Sequence, residues 1–247
     1  MKNIYILLCC FFNSCATMYV PISPNIPAFH GKKEFQTEAG LSLSGINLNT
    51  SYSPVKHIGI LCNGHILPQS FVYNIDQKYD KNAANNHEYL EGLIGTYFNI
   101  KNRYYFELFL GYGIGIGSNH KYLDGYHVEY YFNNGKYNKY SCQLNIVYEF
   151  KNLNQIGLCN RFGIINYKII DIPANKWVGN SFLKHNSWEP SVFYLQKINN
   201  KLKLSCYLGI STVSGDEYSP NRAPTIITNM LSAGVGLKLV LGRKENK

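Results

Sequence analysis

Four glycines at every second position, Gly111, Gly113, Gly115 and Gly117, are the first residues of this 247-residue chain whose type and spacing could do chemistry. Glycine-rich runs let a backbone come close to a phosphate, but only where they sit at the turn from a strand into a helix. Here they alternate with Tyr112, Ile114 and Ile116, which is the period of an extended strand. The run therefore reads as interior space left by missing side chains, to be taken by tyrosines of neighbouring strands or by a small cavity.

A second group could support acid–base catalysis if gathered at one rim: His65, Asp76, Asp80, His87, His120, Asp124, His127, His185 and Asp216, all in or near long polar connections. Such connections contain these residue types in any case, so no catalytic residue is assigned and the enzyme stands only as an alternative. Cys62, Cys142, Cys159 and Cys206 fall singly in separate strands, without the paired or histidine-flanked spacing that zinc requires. They read as small hydrophobes, and no metal or cofactor is expected.

A third group is ionic. Glu38, Glu91, Glu107, Glu149, Glu189, Arg161, Lys203 and Lys238, with His57 and His65, fall on the polar side of alternating strands. Enclosed together, these charges must pair, because unpaired buried ions are costly. The outcome would be a polar network, centred on Glu38, Glu91, Glu107, Arg161, Lys203 and Lys238, that fills the interior. The sharper alternative is a narrow polar path for ions or small solutes.

The elements that position these residues are strands. Residues 103–118 separate at a period of two into Phe106, Leu108, Leu110, Tyr112, Ile114 and Ile116 on one face and Tyr105, Glu107, Phe109 and the glycines on the other. A strand of about 14 residues is long for a soluble sheet but suits a tilted crossing of a bilayer. Similar alternation recurs along the chain to give about ten strands. Counted from the second strand, short turns near Ser53, Asn99, Lys151 and Ile198 alternate with long loops after Leu67, Ser118, Lys168 and Val213. Membrane barrels sort their loops this way, whereas a soluble β-sandwich has no reason to. The expected fold is an all-β, up-and-down antiparallel transmembrane β-barrel, with a soluble exported sandwich or adhesin as the alternative.

Composition agrees. Aromatic residues make up 15% and charged residues 16% of the chain, with 21 Tyr and 21 Gly, which suits strands with aromatic belts and many turns. No run of about 18 apolar residues exists, so helical membrane spans are excluded. The net charge of +9 is scattered through turns and loops instead of forming a nucleic-acid stripe.

Met1-Lys2-Asn3 and the apolar run from Ile4 to Phe12 form a signal peptide over 1–14. Cys15 after Ser14 fits lipidation at a lipoprotein site, and Ser14 with Ala16 fits ordinary cleavage as the alternative. Residues 15–33, with Pro21, Pro24 and Pro27, read as an extended tether, 34–243 as the barrel and 244–247 as a tail. An even strand number would return the C-terminus to the side of a lipid-anchored start.

The run Cys15-Ala-Thr-Met-Tyr-Val-Pro21, then Pro27-Ala28-Phe29, Lys33-Glu34-Phe35 and Tyr52-Ser-Pro-Val-Lys-His-Ile-Gly-Ile60, resembles the small outer-membrane β-barrel lipoproteins of Bacteroidota. Glu91-Gly-Leu-Ile-Gly-Thr-Tyr97 and Glu189-Pro-Ser-Val-Phe193 are similar to later strands of that group. The resemblance implies a location in the bacterial outer membrane and contact with its lipid, and it carries no catalytic residue. A structural, surface-binding or minor transport role follows. Tyr122, Tyr126, Tyr130, Tyr131, Tyr137 and Trp177 in the long loops suit glycan or protein ligands.

Overall fold

The computed structural model describes residues 19–67, 85–101, 103–121, 131–169, 182–215 and 229–242. Ten strands run in chain order: β1 (Glu34–Ser42), β2 (Gly45–Val55), β3 (Ile58–Leu67), β4 (Asn85–Ile100), β5 (Tyr104–Lys121), β6 (Tyr131–Glu149), β7 (Gln155–Ile169), β8 (Phe182–Lys197), β9 (Leu202–Gly215) and β10 (Asn229–Leu241). Each pairs antiparallel with the next, and β1 closes on β10 from Phe35↔Leu241 to Ser42↔Gly234, giving an all-β closed barrel. Closure leaves no strand edge unpaired, which is the condition for a sheet to stand in hydrocarbon.

Side chains obey the period of two all the way round. Leu41, Leu48, Ile60, Ile94, Leu110, Leu158, Val192, Leu208 and Leu237 are exposed on the outside, while their sequence neighbours turn inward. A water-soluble surface does not carry a continuous apolar belt on this scale. On β5 the belt runs from Phe106 to Ile116, about 25 Å high for a strand tilted by roughly 40°. Aromatic rings edge it near the short turns, where Tyr104 and Tyr148 lie 5.1 Å apart and Tyr148 and Phe150 4.9 Å apart.

Two boundaries differ from the sequence-based expectation. Pro54 belongs to β2, at a register shift between Tyr52 and Val55, and the turn is made by Lys56 and His57, whose φ is 70°. A proline donates no ladder hydrogen bond, so an irregular position is where a strand can hold it. At the other end of the barrel the strands outrun their apolar alternation: β5 continues to Lys121, β6 begins at Tyr131 and β8 at Phe182. Backbone pairing continues there while the outward residues become polar, which erases the hydrophobic period without ending the strand. Tyr137, expected in a loop, is for this reason an inward residue of β6. The first hairpin turns through Leu43 and Ser44 into Gly45, whose φ of 132° and contact with the Ile66 carbonyl leave no room for a side chain.

The interior is occupied by the chain's own N-terminal segment. Residues 19–29 are buried inside the ring of strands without forming a strand themselves. Tyr19 packs among Tyr137, Ile165 and Tyr167 in the half nearer the long loops. Ile26 and Ala28 lie among Tyr105, Val147 and Phe193, Phe29 packs on Leu61 and Phe109, and His30 meets Glu34 and Glu149 at the short-turn end. The segment forms neither helix nor strand, as suits its three prolines, and it runs from the Tyr19 layer to the short-turn end before Lys33 enters β1 with its N–H on the Ser53 carbonyl.

Candidate functional site

The lumen is built from the inward side chains of the strands and the strap of residues 19–30. A backbone that forms no ladder must find other partners when buried. Here lumen side chains supply them. Asn47 Oδ1 accepts from Ser23 N at 3.2 Å, Glu107 Oε1 from Phe29 N at 3.3 Å and Glu34 Oε2 from His30 N at 2.8 Å. In the other direction Gln143 donates to the Asn25 carbonyl, Lys238 to that of Ile26 and Gln36 to that of Pro27, each at 2.6 Å. Asn25 is gripped further, its amide donating to Asn63 Oδ1 at 2.8 Å and to the Thr50 carbonyl at 2.9 Å.

The charges gather in layers along the axis. In the half nearer the long loops Arg161 Nη2 lies 2.7 Å from Glu91 and Nη1 3.7 Å from Glu189, while Lys139 Nζ lies 2.6 Å from Glu189. Glu91 also accepts from Asn63 at 2.9 Å and Tyr89 at 3.1 Å, and the Tyr19 hydroxyl donates to Glu189. The Lys139 ammonium stands 4.9 Å from the centre of the Tyr19 ring. Thus two cations and two carboxylates, all buried, close around the end of the strap. Nearer the short turns Lys238 and Glu38 are 3.4 Å apart, and Ser205 donates to Glu38 at 2.7 Å. Below them Lys203 donates to Gln155 at 2.9 Å, and Gln155 to Glu149 at 2.6 Å.

The six expected network residues thus all face the lumen, but they do not form one cluster. Glu91 and Arg161 are partners, as are Glu38 and Lys238, whereas Lys203 belongs to the short-turn layer. Glu107 has no cation within ion-pair distance among the described residues. It accepts instead from Asn145 at 2.8 Å and from the strap backbone at Phe29. Lys139 was missed by sequence reasoning, although it stands one inward step before Ser141 and Gln143. The strap carried a signal as well, because residues 19–29 contain no charged side chain, and an uncharged apolar stretch is poorly suited to open water.

The glycine run has its place here. A β-carbon at Gly113 would overlap the Tyr89 hydroxyl, and one at Gly115 the Tyr137 ring. Gly111 is covered by Leu93, and Gly117 faces Gly135 and His87 across the ladder. The space is filled by rings. Tyr89 and Tyr137 stack at 5.7 Å, with His87 against Tyr137 at 5.8 Å and Tyr167 at 5.2 Å. Gly115→Val is expected to destabilise the barrel by about 1–3 kcal/mol through overpacking, despite the β-propensity of valine. Gly92→Val, on the outer face with nothing within 4 Å of its would-be β-carbon, is expected to be neutral or better. Thermal unfolding in detergent separates the two, and equal shifts would argue against ring packing as the role of the run.

The rim reading meets a different geometry. His65, His87 and His185 are inward residues of strands: His65 Nδ1 lies 3.0 Å from Asn47 Oδ1, and His87 Nε2 lies 2.6 Å from the Tyr137 hydroxyl. Asp76, Asp80, Asp124, His127 and Asp216, with Tyr122, Tyr126, Tyr130 and Trp177, lie outside the described residues, as does Cys15. Among the described residues no group of three His, Cys, Asp or Glu side chains is placed to hold a metal. Cys62 and Cys206 are exposed on the outer face, Cys142 is half-buried and Cys159 is buried inside.

No protein-family model and no curated protein matches the chain. Among solved structures it is similar to the outer-membrane protease OmpT of Escherichia coli, at 11% identity and a TM-score of 0.42, covering 85% of this chain and 94% of that one. The β-domain of the Bordetella autotransporter BrkA gives 8% identity and 0.43, with 85% and 99% covered. The translocator domain of the autotransporter NalP from Neisseria meningitidis gives 12% and 0.41, with 83% and 86% covered.

Proposed function

We propose that this protein is a bacterial outer-membrane barrel closed by its own N-terminal strap, with a structural or surface-binding role exercised at the long-loop end. One observation carries this reading: residues 19–29 fill the lumen, and side chains from β1, β2, β5, β6 and β10 satisfy the strap's backbone. A solute path and a strap held in this way cannot share the same space. The outward apolar belt supports the membrane setting, and the long loops mark the outer side. The motifs resembling Bacteroidota barrel lipoproteins support the same setting. No catalytic chemistry is part of this reading. The test is planar-bilayer recording of the purified full chain, which is expected to stay silent; discrete conductance steps would overturn it.

Lipidation of Cys15 is part of this reading, supported by the Ser14-Cys15 pair after the apolar run from Ile4 to Phe12. Mass spectrometry of the N-terminal peptide of the mature protein is expected to find it beginning at an acylated Cys15, and an unmodified Cys15 would count against the anchor.

A further inference from the structure

Outside the barrel, β6, β7 and β8 repeat one pattern where the apolar belt gives way to the long-loop end. Read outward from the belt, β6 presents Tyr140, Asn138 and Lys136, β7 presents Ile164, Asn166 and Lys168, and β8 presents Trp188, Asn186 and Lys184. In each strand an apolar or aromatic residue is followed by asparagine and then by an exposed lysine. The register holds the three strands together, with Lys136 opposite Lys168, Asn138 opposite Asn166, and Asn166 opposite Lys184. Each lysine stands four residues beyond the last belt residue, about 10 Å farther along the membrane normal for tilted strands. That is the depth of lipid headgroups.

Like charges directly opposite on a sheet repel. Lys136 and Lys168 are such a pair, with Lys184 on the diagonal, and among the described residues no carboxylate forms an ion pair with any of them. Among the described residues the nearest outward acid across the ladder, Glu88, is two strands away, with Ile116 between it and Lys136. Three cations held side by side over a row of amide donors, above an apolar wall, match one chemistry: a phosphate on a molecule whose tails lie along that wall. We infer that β6–β8 form a binding face for the phosphate-bearing headgroup of an outer-leaflet lipid. Lys136, Lys168 and Lys184 hold the phosphate, while Ile164 and Trp188 lie against the acyl chains. The lysine stems can lie down along the barrel while their ammonium groups stay at headgroup level.

The inference rests on the membrane reading of the outer face, and the experiment keeps the two apart. The full chain is reconstituted in phosphatidylcholine vesicles with diphosphorylated lipid A or with its dephosphorylated form, and retention of the glycolipid through repurification in detergent is measured. Incorporation into phosphatidylcholine alone tests the membrane reading. Preference for the phosphorylated form tests the lysine face. A basic residue near an anionic surface contributes roughly a fivefold factor, so the Lys136→Gln/Lys168→Gln/Lys184→Gln variant should lose the preference by on the order of 100-fold. Lys201→Gln, in the short turn at the opposite end, should leave it unchanged. Heat-modifiable migration on a gel verifies that each variant is folded. Equal retention of the two lipids, full retention by the triple variant, or complete competition by millimolar inorganic phosphate would overturn the proposal, the last by pointing to a soluble-anion site.

Discussion

Arg161→Met is expected to cost about 3–5 kcal/mol of barrel stability, the usual penalty for removing one partner of a buried ion pair. Arg161 is almost fully buried, with Glu91 2.7 Å away on one side and Glu189 3.7 Å away on the other. The two carboxylates do not suffer equally. Glu189 keeps Lys139 at 2.6 Å, whereas Glu91 keeps the neutral donors Asn63 and Tyr89 and feels Lys139 only from beyond ion-pair distance. The burden therefore falls on Glu91, and adding Glu91→Gln should restore more than half of the loss. Urea unfolding in detergent micelles, read by tyrosine fluorescence and heat-modifiable migration, supplies the comparison. Equal stability of Arg161→Met and the wild type would mean that water, and not the network, solvates these carboxylates.

The legibility of this architecture in the sequence followed the belt. Within the apolar band every second residue is apolar and turned outward, so the alternation of Phe106 to Ile116 or of Leu202 to Ile210 states the strand, its faces and its neighbours' faces together. Above the band the same ladder continues with Asn138, Lys136, Asn166 and Lys168 outside, and hydrophobic periodicity has nothing left to report. Tyr137 and Lys139 were hidden for that reason. The inward position of Glu91 and Arg161 was readable from parity alone, but their pairing was not. Partnership across the lumen depends on which strands face each other after closure, and β4 and β7 do not pair in the sheet.

The strap shows a different limit. Pro21, Pro24 and Pro27 exclude helix and disfavour a central strand, so a segment without regular structure was legible. Its location was not, because its partners Asn47, Glu107, Gln143 and Lys238 come from separate strands that only closure brings together. Glu107 illustrates the consequence. Parity alone suggested an ion that needs a cation, whereas the structure gives it Asn145 and the Phe29 N–H, so its polar partner is the strap itself.

Removing residues 19–30, with Met18 joined to Gly31, is therefore expected to change a silent barrel into a conducting one. The shortened chain keeps all ten strands and the turn at Lys32 and Lys33 that leads into β1, so closure does not depend on the strap for any ladder hydrogen bond. What it loses is the apolar filling, Ile26, Ala28 and Phe29, and the donors and acceptors of the strap backbone, which water replaces along the axis. Water also decides the ionic character of the opened path. Among the described residues the lumen then presents six carboxylates, Glu34, Glu38, Glu91, Glu107, Glu149 and Glu189, against the four cations Lys139, Arg161, Lys203 and Lys238. The excess of two negative charges in a narrow, low-dielectric tube favours cations. Planar-bilayer recordings under a salt gradient should show discrete steps whose reversal potential has the sign of cation selectivity, weakened by Glu107→Gln, a carboxylate that has no ion-pair partner among the described residues even with the strap in place. Silence of a shortened chain that still migrates as a folded barrel, or a reversal potential of the opposite sign, would mean that side chains of the strands and not the strap close the lumen.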